Sequence, residues 1–153
     1  MDMNQRFNDR VTIYLAVESV ELAPSVVTAR LGVLPDREWL MGDFRGKTGR
    51  RWEGHGWVVE TTVTSEENEG RSASALIPIA MKAFERKVGP LTAAALSLGM
   101  SAQRYAVLAI LAEAVPGIEL SRSFLKLLSD LGGTFQIDLS TESRVGPAVA
   151  GAR

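Results

Sequence analysis

The residues best suited to chemistry lie in one stretch, between positions 37 and 57. Four cations fall within seven residues there, with no acid between them: Arg45, Lys47, Arg50 and Arg51. The three tryptophans of the chain lie around these cations: Trp39, Trp52 and Trp57. Aromatic faces beside guanidinium groups can hold an anionic ligand or stack bases, and tryptophan and arginine often anchor protein interfaces. The stretch therefore predicts a binding site made of Trp39, Gly42, Asp43, Arg50, Arg51, Trp52 and His55.

The same stretch allows a second interpretation, a small enzyme that acts on an anionic substrate. Asp43 or His55 would then be the acid–base group, and Arg50 or Arg51 would hold the anion. Both acid–base candidates also have ordinary structural roles. The carboxylate of Asp43 can cap backbone amides of its own loop, and His55 lies in a turn between two glycines. We favour the binding interpretation, which assigns no catalytic residue.

Spacing argues against a phosphate-binding loop, and residue counts exclude several other kinds of site. Gly42 and the Gly46–Lys47 pair are separated by three residues, where a phosphate-binding loop needs four and a following helix. The chain has no cysteine and a single histidine, which excludes a cysteine zinc site, a histidine cluster and a disulfide framework. We therefore expect neither a metal nor a cofactor.

Composition predicts one globular domain, and the lack of a secretory signal or a membrane span in the sequence predicts that it lies in the cytoplasm. The chain has 153 residues and a net charge of -1, so bulk charge does not draw it to nucleic acid or to an anionic membrane. The N-terminus does not resemble a secretory signal, and no apolar run approaches the length of a membrane span. We expect a single domain over residues 1–140 and a flexible tail over residues 141–153, which is rich in small residues.

Alternating apolar residues predict strands. The alternation runs over residues 11–17, 57–64 and 135–139, and residues 103–112 are apolar on both faces. The last of these segments predicts a central strand that is covered on both sides or lies at a dimer contact. A shorter strand is expected near Trp39. Trp57 shares a strand face with Val59 and Val63, so we expect its ring to point into the core.

Helical spacing accounts for the segments between these strands. Pro24 suits the first turn of a helix over residues 24–31, and Gly32 suits its C-terminal position. Further helices are expected over about 76–84, 91–98 and from the N-cap Ser121 to Leu131. We place Pro78 in the first turn of its helix, since proline destabilises a helix interior by about 3 kcal/mol.

The order of these elements predicts an α+β fold. We expect a two-layer sandwich with a mixed or antiparallel sheet of four or five strands and about three helices on one face. A mixed sheet with helices on both faces is the alternative. In the two-layer arrangement Tyr14, Glu60 and Asp138 share the open face, where paired carboxylates could bind a divalent cation or a basic partner, or be ordinary solvent-facing residues.

Three segments together resemble a bacterial family of small domains of unknown function. The first reads LGVLPDREWLMGD from Leu31 to Asp43, the second is Gly56–Trp57, and the third reads LGGTFQID from Leu131 to Asp138. Their order and spacing match an LGxxPxxxWxxGD segment, a downstream GW strand and a C-terminal LGxxxxID strand, over about residues 11–140. The resemblance implies an α+β fold with no assigned reaction. Some members resemble genes near toxin–immunity loci, which implies an immunity-like binding role.

The partner expected from the sequence is a protein or a second copy of the chain. Tryptophan and arginine favour a protein interface, and the surface would combine the 37–57 stretch with the open sheet face. Single-stranded nucleic acid is a weaker third option, because four phosphate contacts would give only salt-sensitive binding.

Overall fold

The computed structural model describes residues 8–141, which form one mixed sheet and a layer of helices. The strands are β1 (Arg10–Ser19), β2 (Arg37–Trp39), β3 (His55–Thr64), β4 (Gln103–Ala112) and β5 (Thr134–Thr141). The helices are α1 (Pro24–Leu31), α2 (Ala73–Val88), α3 (Thr92–Ser97) and α4 (Arg122–Leu131). Short 3₁₀ turns occupy Glu66–Asn68 and Gly89–Leu91.

The sheet has the order β2-β3-β1-β4-β5, with β1 in the middle. Its β1–β3, β1–β4 and β2–β3 pairs are antiparallel, whereas β5 runs parallel to β4. The parallel pair follows from the connection through α4, since parallel neighbours need a crossover rather than a hairpin. β2 and β5 are the two edges.

The helices pack on one face of the sheet, so the predicted two-layer α+β sandwich is confirmed. Val11, Ile13, Leu15 and Val17 of β1 face the helices and are at most 1% exposed. The buried residues of the helices join the same core cluster. Among the described residues no helix covers the opposite face, so the alternative with helices on both sides is wrong. We call that opposite face the open face.

The core confirms the predicted direction of Trp57. Its ring is fully buried, and its Nε1 donates a hydrogen bond to Thr28 Oγ1 over 3.0 Å. At the other end of the core the ring of Phe124 packs edge-on against Phe84 and Phe135, which joins α4 to α2 and β5.

β4 is an interior strand, as predicted, but among the described residues helices cover only one of its faces. Ala106, Leu108 and Ile110 face the helices and are buried. On the open face Val107 is buried among its neighbours, while Tyr105 and Ala109 remain partly exposed. The apolar run therefore reflects a strand flanked by β1 and β5 rather than one enclosed by helices.

Local signals fix the ends of two helices as expected. α1 begins at Pro24, and Gly32 closes it with a left-handed φ of 74°. At the start of α4 Ser121 Oγ accepts a hydrogen bond from Phe124 N over 3.2 Å, and Gly132 ends that helix.

The predicted start of α2 is wrong. The helix begins at Ala73, so Pro78 lies within it rather than in its first turn. The ring of Pro78 lies on the exposed side, where the carbonyl that loses its helical partner can be hydrated. The early start is fixed from outside the helix, because the buried carboxylate of Asp9 accepts a hydrogen bond from Ala73 N over 2.8 Å.

Two further expectations concern the ends of the chain and the membrane. Thr141 ends β5, and the rest of the tail expected for residues 141–153 lies outside the described residues. Over residues 8–141 no helix combines the length and the apolarity that a membrane crossing requires. The cytoplasmic location stays a prediction.

Candidate functional site

Residues 40–54 form a compact hairpin that projects from the end of β2 and returns into β3. Three backbone hydrogen bonds of 2.8 Å hold its two arms together: Gly42 N to Trp52 O, Trp52 N to Asp43 O, and Arg45 N to Arg50 O. Gly42 and Gly49 adopt left-handed φ angles of 91° and 72°, which a residue with a Cβ rarely adopts. We call this segment the 40–54 hairpin.

Asp43 stabilises the turn at the start of the hairpin. Its Oδ2 accepts a hydrogen bond from Leu40 N over 2.8 Å, and its own backbone N–H bonds to Leu40 O over 3.0 Å. The side chain therefore acts as the cap that the sequence offered as its structural role.

His55 also makes a backbone contact. Its Nδ1 lies 2.9 Å from Met41 N and accepts the hydrogen bond, so this nitrogen carries no proton in the contact. In the described part of the chain no carboxylate bonds to the ring. The orienting acid that a general base needs is thus missing from its surroundings.

Two of the tryptophans form a stacked pair at the base of the hairpin. The ring centroids of Trp39 and Trp52 are 4.1 Å apart, and the ring planes differ by 18°. Gly56 lies directly beneath Trp39, since a Cβ at this glycine would meet the indole Cε2 at 1.9 Å. The guanidinium carbon of Arg45 lies 4.4 Å from the ring centroid of Trp52. We call Trp39, Trp52 and Arg45 the Trp/Arg platform.

Arg51 reinforces the hairpin beside the platform. Its guanidinium carbon lies 4.1 Å from the ring centroid of Phe44, its partner in an isolated β-bridge between the two arms. Its Nη1 also donates to Gly42 O over 2.8 Å. Arg51 is therefore held in place while its remaining N–H groups stay exposed.

An open cleft runs along the platform. Its cationic lining consists of Arg45, Arg50 and Arg51, next to the rings of Trp39 and Trp52. Glu18 and Glu53 contribute carboxylates to the same cleft. Among the described residues no hydrogen bond or ion pair engages the guanidinium of Arg50, so this cation is available to a partner.

Four of the seven sequence-predicted site residues therefore meet at one cleft. These are Trp39, Arg50, Arg51 and Trp52. Gly42, Asp43 and His55 lie outside its lining and shape the hairpin instead. Asp43 lines a neighbouring cleft with Phe44 and Arg45.

A second group of polar residues lies on the open face. Tyr14, Glu60 and Asp138 line one groove, as the sequence pattern predicted. Arg37 pairs with Glu60, with 3.3 Å between Nη2 and Oε2, and its guanidinium lies 5.6 Å from the ring centroid of Tyr14. Within residues 8–141 no three histidine, cysteine or acidic side chains cluster closely enough to hold a metal ion.

A further contact on the open face joins Tyr105 to Glu18. The phenol of Tyr105 donates to Glu18 Oε1 over 2.7 Å, which links β4 to β1. Burial, this hydrogen bond and the charge of Glu18 raise the pKa of Tyr105 far above its usual value of 10.0. Burial also raises the pKa of Tyr14, although the cation of Arg37 works against it.

Comparison with known proteins places the chain in a family. The sequence model of a family described as a domain of unknown function (DUF4279) matches residues 9–142. The chain belongs to the DUF4279 family. No curated protein and no solved structure matches the chain significantly. The predicted resemblance to a family of domains of unknown function is thereby confirmed, while the bacterial origin and the immunity-like role stay predictions.

In this DUF4279 domain, residues that carried the resemblance also build the platform. Trp39 supplies one ring, Gly56 gives that ring its space, and Gly42 and Asp43 form the turn that brings Trp52 back. In this chain Trp39, Gly42, Asp43 and Gly56 thus share one physical role.

Among the cleft-lining residues of this DUF4279 domain, the sequence analysis did not single out Arg37, Glu18 or Tyr105. Arg37 precedes Trp39 by two residues in β2, whereas Glu18 and Tyr105 meet the site only through strand pairing across the sheet. The alternation of Arg37 with Trp39 in β2 was a usable signal, because residues two apart in a strand share a face. Glu18 and Tyr105 are 87 positions apart, and only the register of β1 and β4 brings them together.

We expect both tyrosines to resist ionisation at pH 10.0. The folded pKa of each lies above the unfolded value of 10.0, so their contribution to stability is complete below pH 10 and declines as the pH rises. Tyr14 and Tyr105 are the only tyrosines, so phenolate absorbance reports on them alone. A titration midpoint near 10 for the folded protein, equal to that of the protein in denaturant, would contradict these environments.

Proposed function

We propose that the protein is a non-catalytic binding module whose surface is the Trp/Arg platform with the 40–54 hairpin. Its partner is a protein that presents an acidic segment. The observation that carries the proposal is the convergence of three arginines on one cleft, where Arg45 and Arg51 are held by aromatic rings and Arg50 has no described partner.

The preorganised geometry of the hairpin favours recognition. Backbone hydrogen bonds, the Asp43 cap and the contact of Arg51 with Gly42 fix the loop before any partner arrives. A surface already in its binding conformation loses less conformational entropy on association. Arg45 and Arg51, stacked on rings, keep N–H groups free for carboxylates.

Charge favours an acidic partner. Residues 40–54 contain four cations and two carboxylates, although the whole chain has a net charge of -1. Guanidinium groups bind carboxylates with two parallel hydrogen bonds where the geometry allows it, and such bonds are stronger than neutral ones. The hairpin is thus a local positive surface on a nearly neutral protein.

The covered indole rings argue against nucleic acid as the partner. Trp39 is enclosed between Gly56 and Trp52, and the ring of Trp52 is contacted by both Trp39 and Arg45. A nucleobase needs a free aromatic face to stack on. It would have to displace Arg45 or separate the indole pair.

The contacts of the two acid–base candidates support binding over catalysis. Asp43 is bonded to Leu40 N and His55 to Met41 N, so each already serves the backbone. Neither lines the cleft of Arg45, Arg50 and Arg51. We therefore do not propose an enzyme.

The test is binding of a fluorescent peptide of ten glutamates to the full chain. We expect binding that weakens with added salt, and Arg50→Glu should raise Kd about fivefold or more, since it turns an attraction into a repulsion. Arg122→Glu is the matched control, because it makes the same charge change at the start of α4. The proposal fails if the peptide does not bind at low salt, or if both variants weaken binding equally.

A further inference from the structure

Within residues 8–141 the outer edge of β5 has no strand partner along its full length. The strand spans Thr134–Thr141 and pairs with β4 on one side, while its other side bonds to no described strand. The opposite edge of the sheet is different, because β2 has only three residues and leads into the 40–54 hairpin. An unpaired strand of eight residues exposes a row of N–H and C=O groups that can pair with another strand.

This edge also exposes apolar surface on the helix side. Phe135, Ile137 and Leu139 point to that side, in register with the buried residues of β4. Ile137 is 44% and Leu139 39% exposed, whereas Phe135 packs on Phe124. The strand contains no lysine, arginine or proline, the residues that commonly protect sheet edges from pairing.

We propose that two copies of the chain pair antiparallel along β5 and form one continuous ten-stranded sheet. The pairing is centred on Ile137, which lies opposite Ile137 of the partner subunit. Phe135 then lies opposite Leu139 of the partner subunit on the helix side. On the open face Gln136 lies opposite Asp138 of the partner subunit, where the amide donates to the carboxylate.

The sequence of β5 selects this register over its neighbours. Sliding one β5 strand past the other by one residue places apolar side chains opposite polar ones, because side chains alternate between the two faces of a strand. Centring on Asp138 places two carboxylates directly opposite each other, which is unfavourable. Centring on Gln136 leaves Leu139 beyond the paired segment. Only the register centred on Ile137 pairs seven residues with matching faces and no opposed charges.

This surface is independent of the binding surface proposed above. The Trp/Arg platform lies at the β2 end of the sheet, and β5 is the opposite edge. The dimer would carry its two platforms at the far ends of the ten-stranded sheet. Failure of either proposal therefore leaves the other intact.

Sedimentation over a range of concentrations tests the dimer with a matched pair of variants. We expect a reversible dimer, with Gln136→Glu raising its dissociation constant and Gln136→Lys lowering it, so that the two differ by about tenfold or more. Each substitution acts twice in the dimer, because residue 136 of each copy lies opposite Asp138 of the partner subunit. Gln136 is exposed, so neither change should disturb the monomer.

Cross-linking tests the register, because the chain lacks cysteine. A short thiol-reactive cross-linker should join two copies of Ile137→Cys, whose new thiols face each other. Met100→Cys, fully exposed on the loop before β4, and Leu139→Cys, which faces Phe135 of the partner subunit, should react far less. The proposal is overturned by a monomer at every concentration, by equal dissociation constants for the Gln136 variants, or by equal cross-linking of the three cysteine variants.

Discussion

Gly56→Ala should separate the Trp39–Trp52 stack and abolish binding of the glutamate peptide. The new methyl group would lie 1.9 Å from Cε2 and 2.0 Å from Cζ2 of Trp39, so the indole has to move away from residue 56. Trp52 stacks on that ring and Arg45 lies over Trp52, so both would lose their support. We expect a loss of about 1–3 kcal/mol in the free energy of unfolding, the usual range for overpacking.

Gly54→Ala is the matched control for this substitution. A Cβ at Gly54 meets its nearest neighbour, Ser19 O, at 3.4 Å, which is an ordinary contact. Circular dichroism from the paired indoles should change in Gly56→Ala and persist in Gly54→Ala. If both variants keep the indole signal and bind the peptide equally, the platform does not depend on Gly56 as described.

Asp9→Ala should destabilise the protein far more than removal of an exposed carboxylate such as Asp130. Asp9 is 8% exposed, and its two oxygens accept hydrogen bonds from Ala73 N over 2.8 Å and Glu113 N over 3.0 Å. The carboxylate thereby joins the start of β1 to the start of α2 and the segment after β4. Hydrogen bonds to a charged group contribute about 1.5–3 kcal/mol each, so we expect a loss of about 3 kcal/mol.

Denaturant unfolding with Asp130→Ala as the control measures this effect. Asp130 forms an exposed ion pair with Lys126 one helical turn away, with 2.9 Å between the charged atoms. Such pairs contribute about 0.3–0.5 kcal/mol. Equal unfolding free energies for the two variants would show that Asp9 does not hold these segments together.

Much of the fold was predictable because strand alternation and helix ends are local properties. The period-two patterns of β1 and β3 correctly gave the buried faces and the inward direction of Trp57. Pro24 and Gly32 marked the ends of α1 for reasons contained in their own backbone preferences. The start of α2 was not local, since it depends on a carboxylate from Asp9, 64 positions earlier.

The candidate site was also predictable only in part. Clustering of tryptophan and arginine in the sequence pointed to the hairpin, and Trp39, Arg50, Arg51 and Trp52 do line one cleft. Spacing could not show that Gly56 makes room for Trp39, because a close approach between strands depends on their register. Residue spacing also allowed Asp43 to be an acid–base candidate. Only the structure shows that its carboxylate accepts a hydrogen bond from Leu40 N.

The indole N–H signals in a ¹H–¹⁵N spectrum test most directly whether the Trp/Arg platform binds an acidic segment. The chain has three tryptophans, two in the platform and one in the core, so Trp57 is an internal control. On addition of the glutamate peptide, we predict shifts for Trp52 and Trp39 and an unchanged signal for Trp57. Three unmoved signals, or a shift confined to Trp57, would contradict binding at this surface.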